Sequence, residues 1–183
     1  MENRKSEIIS FAKSLIQQKG YAAFSYDDIS KHFGITKASI HYHFEKKEDL
    51  GLAVLNRLHL RLTEFSASIA TSRESLEKKL DRFYRLQSEK FAANEICPVS
   101  ALQTDFELLP ERMRVKMQEI SRLELTVMQD MITDEASGRE ADSRAMALVV
   151  LAAIKGSLQY GRVINEDMLP EVMSGICQSI IRR

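Results

Sequence analysis

Proline, glycine and cysteine are scarce in this chain of 183 residues, which contains three prolines, seven glycines and two cysteines. Because turn formers are so few, long segments can form uninterrupted helices. The two cysteines, Cys97 and Cys177, are too few for a disulfide framework in a chain of this length. We therefore expect a reducing, cytoplasmic environment.

Long apolar runs are lacking as well. No uninterrupted stretch reaches the roughly 18 apolar residues that a membrane span requires. The opening MENRKSEIIS has neither the apolar core nor the small-residue cleavage site of a signal peptide. Apolar residues make up 44% of the chain and charged residues 28%, which is typical of a soluble globular protein. No membrane partner is expected.

The chain also lacks a net charge, but its charges are unevenly distributed. Residues 1–62 contain 10 Lys/Arg and 7 Asp/Glu, a net charge of +3, whereas residues 63–183 contain 16 and 19, a net charge of −3. The basic excess in the first third of the chain is modest, and it hints at an anionic partner for that part.

Helical periodicity runs through the segments between turn formers, and no stretch of alternating β-branched residues indicates a strand. An all-α fold is therefore predicted. Gly20 is expected to end the first helix, Ser25 to cap the second and Thr36 to cap the third. The second helix is expected to end at Gly34, and a fourth helix to begin within residues 46–49.

Three short helices with a glycine-containing turn between the second and third are typical of a helix-turn-helix unit. In the third helix, the spacing turns Ile35, Ile40 and Phe44 inward. The outward positions carry hydroxyl, ammonium, phenol and imidazole groups, which can donate to phosphate oxygens and in part reach base edges. These outward residues are Thr36, Lys37, Ser39, Tyr42 and His43. Lys47 follows where a helix start also favours a phosphate.

Residues 8–50 resemble the DNA-binding domain of the TetR (tetracycline-repressor-like) family of transcriptional regulators. The matching residues are Ala12, Leu15, Gly20, Tyr21, Phe24, Ser25, Asp28, Ile29, Ser30, the run FGITKASI from Phe33 to Ile40, Tyr42, His43, Phe44, Lys47, Glu48 and Leu50. The resemblance implies DNA contacts by Ser25, Thr36, Lys37, Ser39, Tyr42, His43 and Lys47. Arg4 and Lys5 are expected to reach the neighbouring backbone or the minor groove. His41 departs from the family pattern, which usually has tyrosine there, and this leaves the sequence preference open.

The resemblance also implies an organisation and a function. The expected fold is an N-terminal three-helix helix-turn-helix DNA-binding domain, residues 1–47, followed by a helical effector-binding and dimerisation domain, residues 48–183. The expected function is that of a ligand-responsive transcriptional regulator, most often a repressor that a small-molecule effector releases from a palindromic operator. The alternative that the protein activates transcription stays open.

Two helices near the end of the chain carry a large apolar surface. The last one has a broad apolar stripe, and residues 145–154 are apolar almost all round. A monomer core and a self-association face both account for this surface. We expect a homodimer, because terminal helices have few neighbours within the chain to cover them. The residues expected at the dimer interface are Leu148, Leu151, Leu169, Val172, Met173, Ile176 and Ile180.

An effector cavity is implied by the resemblance among the helices of residues 75–165. Eight methionines and eight phenylalanines suit an adaptable apolar pocket, which favours a small, largely apolar effector. The same residues equally suit an ordinary core, and both interpretations stay open. The candidate lining residues are Phe83, Gln87, Phe91, Phe106, Met117, Met128 and Tyr160.

Metal and catalytic sites find little support in the sequence. His41 and His43 are two residues apart on a helix, so their side chains point about 200° apart and cannot chelate one ion. No G-x-S-x-G elbow, phosphate-binding glycine loop or Rossmann fingerprint is present, so no metal, cofactor or enzymatic activity is expected. An enzyme that uses a buried His or Cys, and a binding module without DNA activity, stay as alternatives. Both predict no salt-sensitive affinity for duplex DNA.

Cys97 precedes Pro98 at a predicted helix start. Backbone amides at such a position can stabilise a thiolate and make it reactive towards oxidants or electrophiles. Packing as a small buried residue is the simpler interpretation and the one we favour.

Overall fold

The structure, a computed structural model, describes residues 2–87, 96–136 and 140–181. Every regular element within these ranges is helical, which confirms the all-α prediction. The elements are α1 (Glu2–Ala23), α2 (Tyr26–Phe33), α3 (Lys37–His43), α4 (Lys47–Ala70), α5 (Leu76–Gln87), α6 (Pro98–Thr104), a short 3-10 helix (Phe106–Leu108), α7 (Glu111–Ala136), α8 (Glu140–Ile164) and α9 (Leu169–Ile181).

The helix ends lie at the predicted turn formers. Gly20 has a φ of +81° and interrupts the helical backbone of α1, so only Tyr21 to Ala23 follow it before the α1–α2 turn. Gly34, with a φ of +62°, ends α2 in the left-handed conformation that favours glycine. Pro98 begins α6, where its missing N–H needs no helical partner.

Contacts divide the chain into two compact units, and the amino-terminal unit consists of Met1–His59 with Pro98–Glu119. Within it, α6 packs along α1, and α2 packs against α3. The buried apolar side chains of this unit include Ile8, Ile16, Phe24, Ile29, Ile40, Phe44, Leu55, Leu102 and Met113. The segment Pro98–Glu119 thus shares a core with the helix-turn-helix. The chain is predicted to divide by function, into a DNA-binding domain of residues 1–47 and an effector-binding and dimerisation domain of residues 48–183. That division stays a prediction.

The carboxy-terminal unit consists of Leu60–Cys97 with Ile120–Arg183. Its helix α9 packs against α5 and α8. Its core is apolar and includes Phe65, Leu76, Leu80, Phe83, Val127, Met128, Met131, Val150 and Ile154. Two ion pairs reach into this unit: Lys79 lies 3.2 Å from Asp134, and Lys155 lies 2.7 Å from Glu124.

Helix α8 exposes several large apolar side chains in the single chain. These are Leu148, Val149, Tyr160, Val163 and Ile164. Its stretch Ser143–Ile164 is long and apolar enough to cross a membrane by length and composition alone, with a mean hydropathy of 1.3, and 28% of the apolar window is buried. This stretch contains Arg144, Lys155 and Arg162, so it is not an uninterrupted apolar run.

Candidate nucleic-acid interface

The turn between α2 and α3 is fixed by local hydrogen bonds. The backbone N–H groups of Gly34 and Ile35 both donate to the Ser30 carbonyl, the latter at 3.2 Å. The Ser30 hydroxyl in turn donates to the Ile35 carbonyl. This three-residue arrangement sets the direction in which α3 leaves the turn.

Thr36 caps α3 as the sequence predicts. The Ser39 backbone N–H donates to the Thr36 hydroxyl oxygen at 3.2 Å, and the two hydroxyl groups lie 3.0 Å apart. Both residues are exposed. A cap of this kind satisfies one of the free N–H groups at the helix start and keeps both hydroxyls on the outer side of α3.

The two sides of α3 differ in burial, as the spacing predicts. Ile40 is fully buried and Phe44 is 3% exposed, whereas Tyr42 is 77% exposed. Lys37 is exposed too, and its ammonium lies 2.7 Å from the Asp27 carboxylate on α2. Because about half of each of these two side chains is exposed, the pair is weak and can open to another anion.

His41 and His43, at the end of α3, are held differently. His41 Nδ1 lies 2.9 Å from the Glu45 carbonyl, and its ring meets the Tyr26 ring edge-on at 4.8 Å between centroids. His43 is half-buried and its ring lies edge-on to Tyr42, at 5.2 Å. The departure from the family pattern at His41 is therefore accommodated by contacts within the chain.

Tyr26 forms a hydrogen bond with the residue that ends α3, a role that the sequence analysis missed. Its hydroxyl donates to the Phe44 carbonyl at 2.9 Å. Burial, with the charge of Asp49 second, raises the pKa of Tyr26, so the phenol stays protonated and able to donate at all physiological pH values. The sequence feature that could have indicated this role is the position of an aromatic residue directly after the predicted cap Ser25.

Ser25 and Asp28 form the start of α2. Both the backbone N–H and the hydroxyl of Ser25 donate to Asp28 Oδ2, at 2.7 and 3.0 Å. The ammonium of Lys19 lies 2.8 Å from Asp28 Oδ1. The hydrogen bond from Lys19, and then the one from the Ser25 backbone, lower the pKa of Asp28 to about 2. The predicted phosphate contact of Ser25 stays a prediction; its hydroxyl already has an internal partner here.

Lys47 lies against the α1–α2 turn. Its ammonium donates to the Ala22 carbonyl at 3.1 Å and lies over the rings of Tyr21 and Phe24, 4.6 and 4.5 Å from their centroids. Burial lowers the pKa of Lys47. Its predicted phosphate contact stays a prediction, and in this structure the side chain folds back onto the chain.

Arg4 and Lys5 are exposed on the first turns of α1. Arg4 pairs with Glu7 at 2.9 Å and lies over the Phe33 ring, 5.2 Å from its centroid. Lys5 lies 5.6 Å from the centroid of the Phe44 ring. Both cations thus lie beside residues that flank α3, and their approach to DNA stays a prediction.

Asp105 is a second residue that the sequence analysis missed. Its Oδ2 accepts hydrogen bonds from the backbone N–H groups of Tyr21, at 2.6 Å, and Ala22, at 3.3 Å. These donors become available because Gly20 interrupts the helix. No local pattern could have indicated the contact, since Asp105 is 84 residues from Tyr21 in the sequence.

Comparison with known proteins is consistent with this geometry. Residues 8–54, from α1 into α4, match the family described as bacterial regulatory proteins, tetR family. A TetR transcriptional regulator from Legionella pneumophila has the same fold, with a TM-score of 0.86 and 27% identity over 96% of both chains. Residues 8–54 thus resemble the TetR family, and the chain shares the fold of a TetR regulator over 96% of its length.

Two curated relatives extend the comparison. The first is the biofilm operon icaADBC negative transcriptional regulator IcaR of Staphylococcus epidermidis, 46% identical over 46 residues. That match spans 25% of this chain and 25% of IcaR. The second is an HTH-type transcriptional regulator in the lacX 3′ region of Lactococcus lactis subsp. lactis, 25% identical over 91% of this chain and 87% of the relative.

The predicted effector-lining residues that the structure describes fall into both units. Phe83 and Met128 are buried in the core of the carboxy-terminal unit, where Tyr160 is 70% exposed. Met117 is buried and Phe106 half-buried in the amino-terminal unit. The Gln87 side chain and Phe91 lie outside the described residues. The predicted effector cavity stays a prediction.

A groove of about 620 Å³ lies within the amino-terminal unit. Its walls come from α1, α3, α4 and α7, and they mix apolar side chains such as Leu52 with charged ones such as Arg112. None of the predicted effector-lining residues lines it. Arg112 already pairs with Asp49 at 3.2 Å, so much of the charge around the groove is internally balanced.

The predicted interface residues of α8 and α9 differ in exposure. Leu148 is 50% exposed, and the half-buried residues are Leu151, Val172 and Met173. Leu169 and Ile176 are buried within the unit, and the Ile180 side chain lies outside the described residues.

Potential metal ligands and the two thiols lie within the described ranges. No three His, Cys, Asp or Glu side chains come together there in a way that could hold a metal ion. Among the described residues, Cys97 and Cys177 are both buried and are not joined by a disulfide bond. Burial raises the pKa of Cys177, so its thiol is held in the less nucleophilic protonated form.

Proposed function

We propose that this chain is a DNA-binding transcriptional regulator that docks α3 into the major groove of duplex DNA. The observation that carries the proposal is the two-sided character of α3. Ile40 anchors one side in the core, whereas Tyr42, at 77% exposure, stands on a face of donor groups with nothing apolar to bury. A rigid helix of this kind is suited to reading base edges.

Within this proposal, the seven predicted contact residues divide by what they donate. The hydroxyls of Thr36 and Ser39 and the phenol of Tyr42 reach phosphates or base edges, and Lys37 supplies a cation. His43 adds an imidazole at the end of the helix. Ser25 and Lys47, which the structure holds by internal hydrogen bonds, contribute after these bonds rearrange, or through the backbone that they position.

A palindromic operator requires two copies of α3, about 34–36 Å apart, and hence a homodimer. The exposed apolar side chains of α8 support self-association, since such a surface is rarely left open to water. A membrane span is the competing explanation for this helix. The Lys155 ammonium, which pairs with the nearly buried Glu124 of α7, favours packing within a folded unit.

The proposed regulation is repression, relieved by a small and largely apolar effector. The IcaR relative is named a negative regulator, which supports this sign. The effector would bind the carboxy-terminal unit and change the separation of the two α3 helices through α4. It can shift that equilibrium only by its differential affinity for the two states. A soluble regulator of this kind acts in the cytoplasm, where its DNA is.

The test is selection of bound fragments from the source genome with the purified chain, followed by affinity measurements on the selected sites. Tyr42→Ala is expected to weaken binding by about tenfold or more, because hydrogen bonds to charged groups are worth about 1.5–3 kcal/mol. Gln118→Ala, an exposed change in the same unit, is the matched control. Absence of any enriched palindromic fragment at low salt would contradict the proposal.

A further inference from the structure

Asp105 holds the chain segment between α1 and α2 from the side of α6. Its Oδ2 accepts the Tyr21 N–H at 2.6 Å and the Ala22 N–H at 3.3 Å. Both donors are backbone groups that lose their helical acceptors where Gly20 interrupts α1. One carboxylate oxygen thus accepts hydrogen bonds from two N–H groups. Because the acceptor is charged, these bonds are stronger than those to a neutral acceptor.

Glycine is favoured at position 20 for two separate reasons. Its φ of +81° lies in the region that favours glycine. A Cβ at this position would also lie 2.7 Å from Asp105 Oδ2, closer than real Cβ atoms approach such a neighbour. Gly20 and Asp105, far apart in sequence, are therefore matched to each other.

The segment that Asp105 holds leads directly to two predicted DNA contacts. The Ala22 carbonyl accepts the Lys47 ammonium at 3.1 Å, and the Tyr21 ring lies under the same ammonium. Ser25, three residues after Ala22, starts α2. A shift of this segment would therefore move both Lys47 and the start of α2, on which α3 packs.

We infer that Asp105 is a positioning residue for DNA binding: it fixes the α1–α2 segment, and thereby the helix-turn-helix, in the orientation that binds duplex DNA. This inference rests on the proposed function. The direction in which DNA affinity changes when Asp105 is replaced distinguishes a positioning role from a purely electrostatic one. An anionic side chain repels DNA, so removal of its charge alone would strengthen binding, whereas loss of a positioning contact weakens it.

The test compares Asp105→Ala, Asp105→Asn and Glu107→Ala in the full-length protein. Asp105→Ala is expected to reduce affinity for the selected operator by about tenfold, because the binding-competent orientation becomes a minor population. Asp105→Asn keeps an oxygen acceptor for the Tyr21 N–H and should retain most of the affinity. Glu107→Ala removes an exposed carboxylate from the adjacent 3-10 helix and controls for charge.

Two results overturn the inference. One is an Asp105→Ala variant that binds DNA as tightly as the wild type, or more tightly. The other is a loss of affinity that occurs only at temperatures where helical content also falls, since that would mean Asp105 merely stabilises the fold.

A double-mutant cycle tests the match between Asp105 and Gly20. Gly20→Ala alone should weaken binding, since it introduces both the strained backbone and the close contact. In the double variant Gly20→Ala/Asp105→Ala the close contact is gone. The fold-reduction in DNA affinity should therefore be smaller, by about threefold or more, than the product of the fold-reductions in the two single variants. Strictly multiplicative losses overturn the match.

Amide hydrogen exchange separates this inference from the proposed function. The Tyr21 amide should exchange faster in Asp105→Ala than in the wild type, and Asp105→Asn should restore its protection, with no DNA present. Unchanged exchange in Asp105→Ala overturns the inference even if DNA binds. A wild-type protein that selects no DNA refutes the proposed function, whatever the exchange result.

Discussion

The ammonium of Lys155 on α8 lies 2.7 Å from the carboxylate of Glu124 on α7, and only 2% of the Glu124 side chain is exposed. The neighbouring core is apolar, with Val127, Val150 and Ile154 buried close by in sequence. A charge this deep in a helical unit is costly unless its partner stays in place.

Lys155→Met is therefore expected to destabilise the protein by about 3 kcal/mol or more, because it leaves a buried carboxylate without its ammonium. The double variant Glu124→Gln/Lys155→Met should recover much of this loss. Urea unfolding measures both free energies. Arg85→Met, which breaks the exposed pair with Asp81, is the matched control and should leave the free energy of unfolding nearly unchanged. Equal effects of the buried and the exposed change would contradict the prediction.

The lowered pKa of the Asp28 carboxyl makes the stability of the folded protein depend on pH in the acid range. Its pKa is lowered from the usual 3.8 to about 2 by Lys19 and the Ser25 backbone. The ionised form is therefore favoured in the folded state, and this stabilisation is present above about pH 4 and is lost as the pH falls through about 2. Asp28→Asn should lower the unfolding temperature at pH 7, and its difference from the wild type should shrink between pH 4 and pH 2.

Thermal unfolding followed by circular dichroism between pH 2 and pH 7 checks this. Lys19→Met removes the first contributor to the lowered pKa and should show the same trend in weaker form. A difference between Asp28→Asn and the wild type that stays constant over this range would mean that the carboxylate adds nothing to acid sensitivity.

The pair between Lys37 and Asp27, 2.7 Å apart, predicts opposite effects of two substitutions. Lys37→Ala should weaken operator binding and reduce the slope of log affinity against log salt by about 1, as loss of one phosphate contact does. Asp27→Asn should tighten binding by about two- to threefold, since it frees the ammonium and removes a charge that repels DNA. Fluorescence anisotropy over a salt series measures both. A Lys37→Ala variant with an unchanged slope would place its ammonium away from phosphate.

Leu148 offers a test of the dimer that does not disturb the core. Half of its surface is exposed in the single chain, whereas Ile176 is 8% exposed and supports the unit from within. Leu148→Asp should therefore give a folded monomer with little affinity for a palindromic operator, and Asp in place of Ile176 should instead lower the unfolding temperature. Analytical ultracentrifugation and circular dichroism separate the two outcomes. A Leu148→Asp variant that sediments as a dimer would place the interface elsewhere.

Much of the fold could be predicted because its signals act over a few residues. Gly20 and Gly34 end helices through their own backbone conformations, and Thr36 caps α3 through a residue three positions on. The two sides of α3 follow from helical spacing, and the burial of Ile40 and the exposure of Tyr42 agree with it.

The remaining features depend on residues that meet only after folding. The Asp105 carboxylate reaches backbone N–H groups 84 residues away, and Glu124 meets Lys155 across 31 residues. Helical spacing places a charge on a face but does not say which partner faces it. For the same reason the sequence could not indicate that the Lys47 ammonium turns back towards the Ala22 carbonyl.

The shared core of α1 and the Pro98–Glu119 segment limits how a chain with this fold can be recombined with a relative. A chimera that imports only residues 1–47 from a relative would pair a foreign α1 with the native Asp105, Leu102 and Met113. To transplant operator specificity, two stretches distant in sequence must travel together, and recombination at a single crossover near residue 47 should seldom yield a working hybrid.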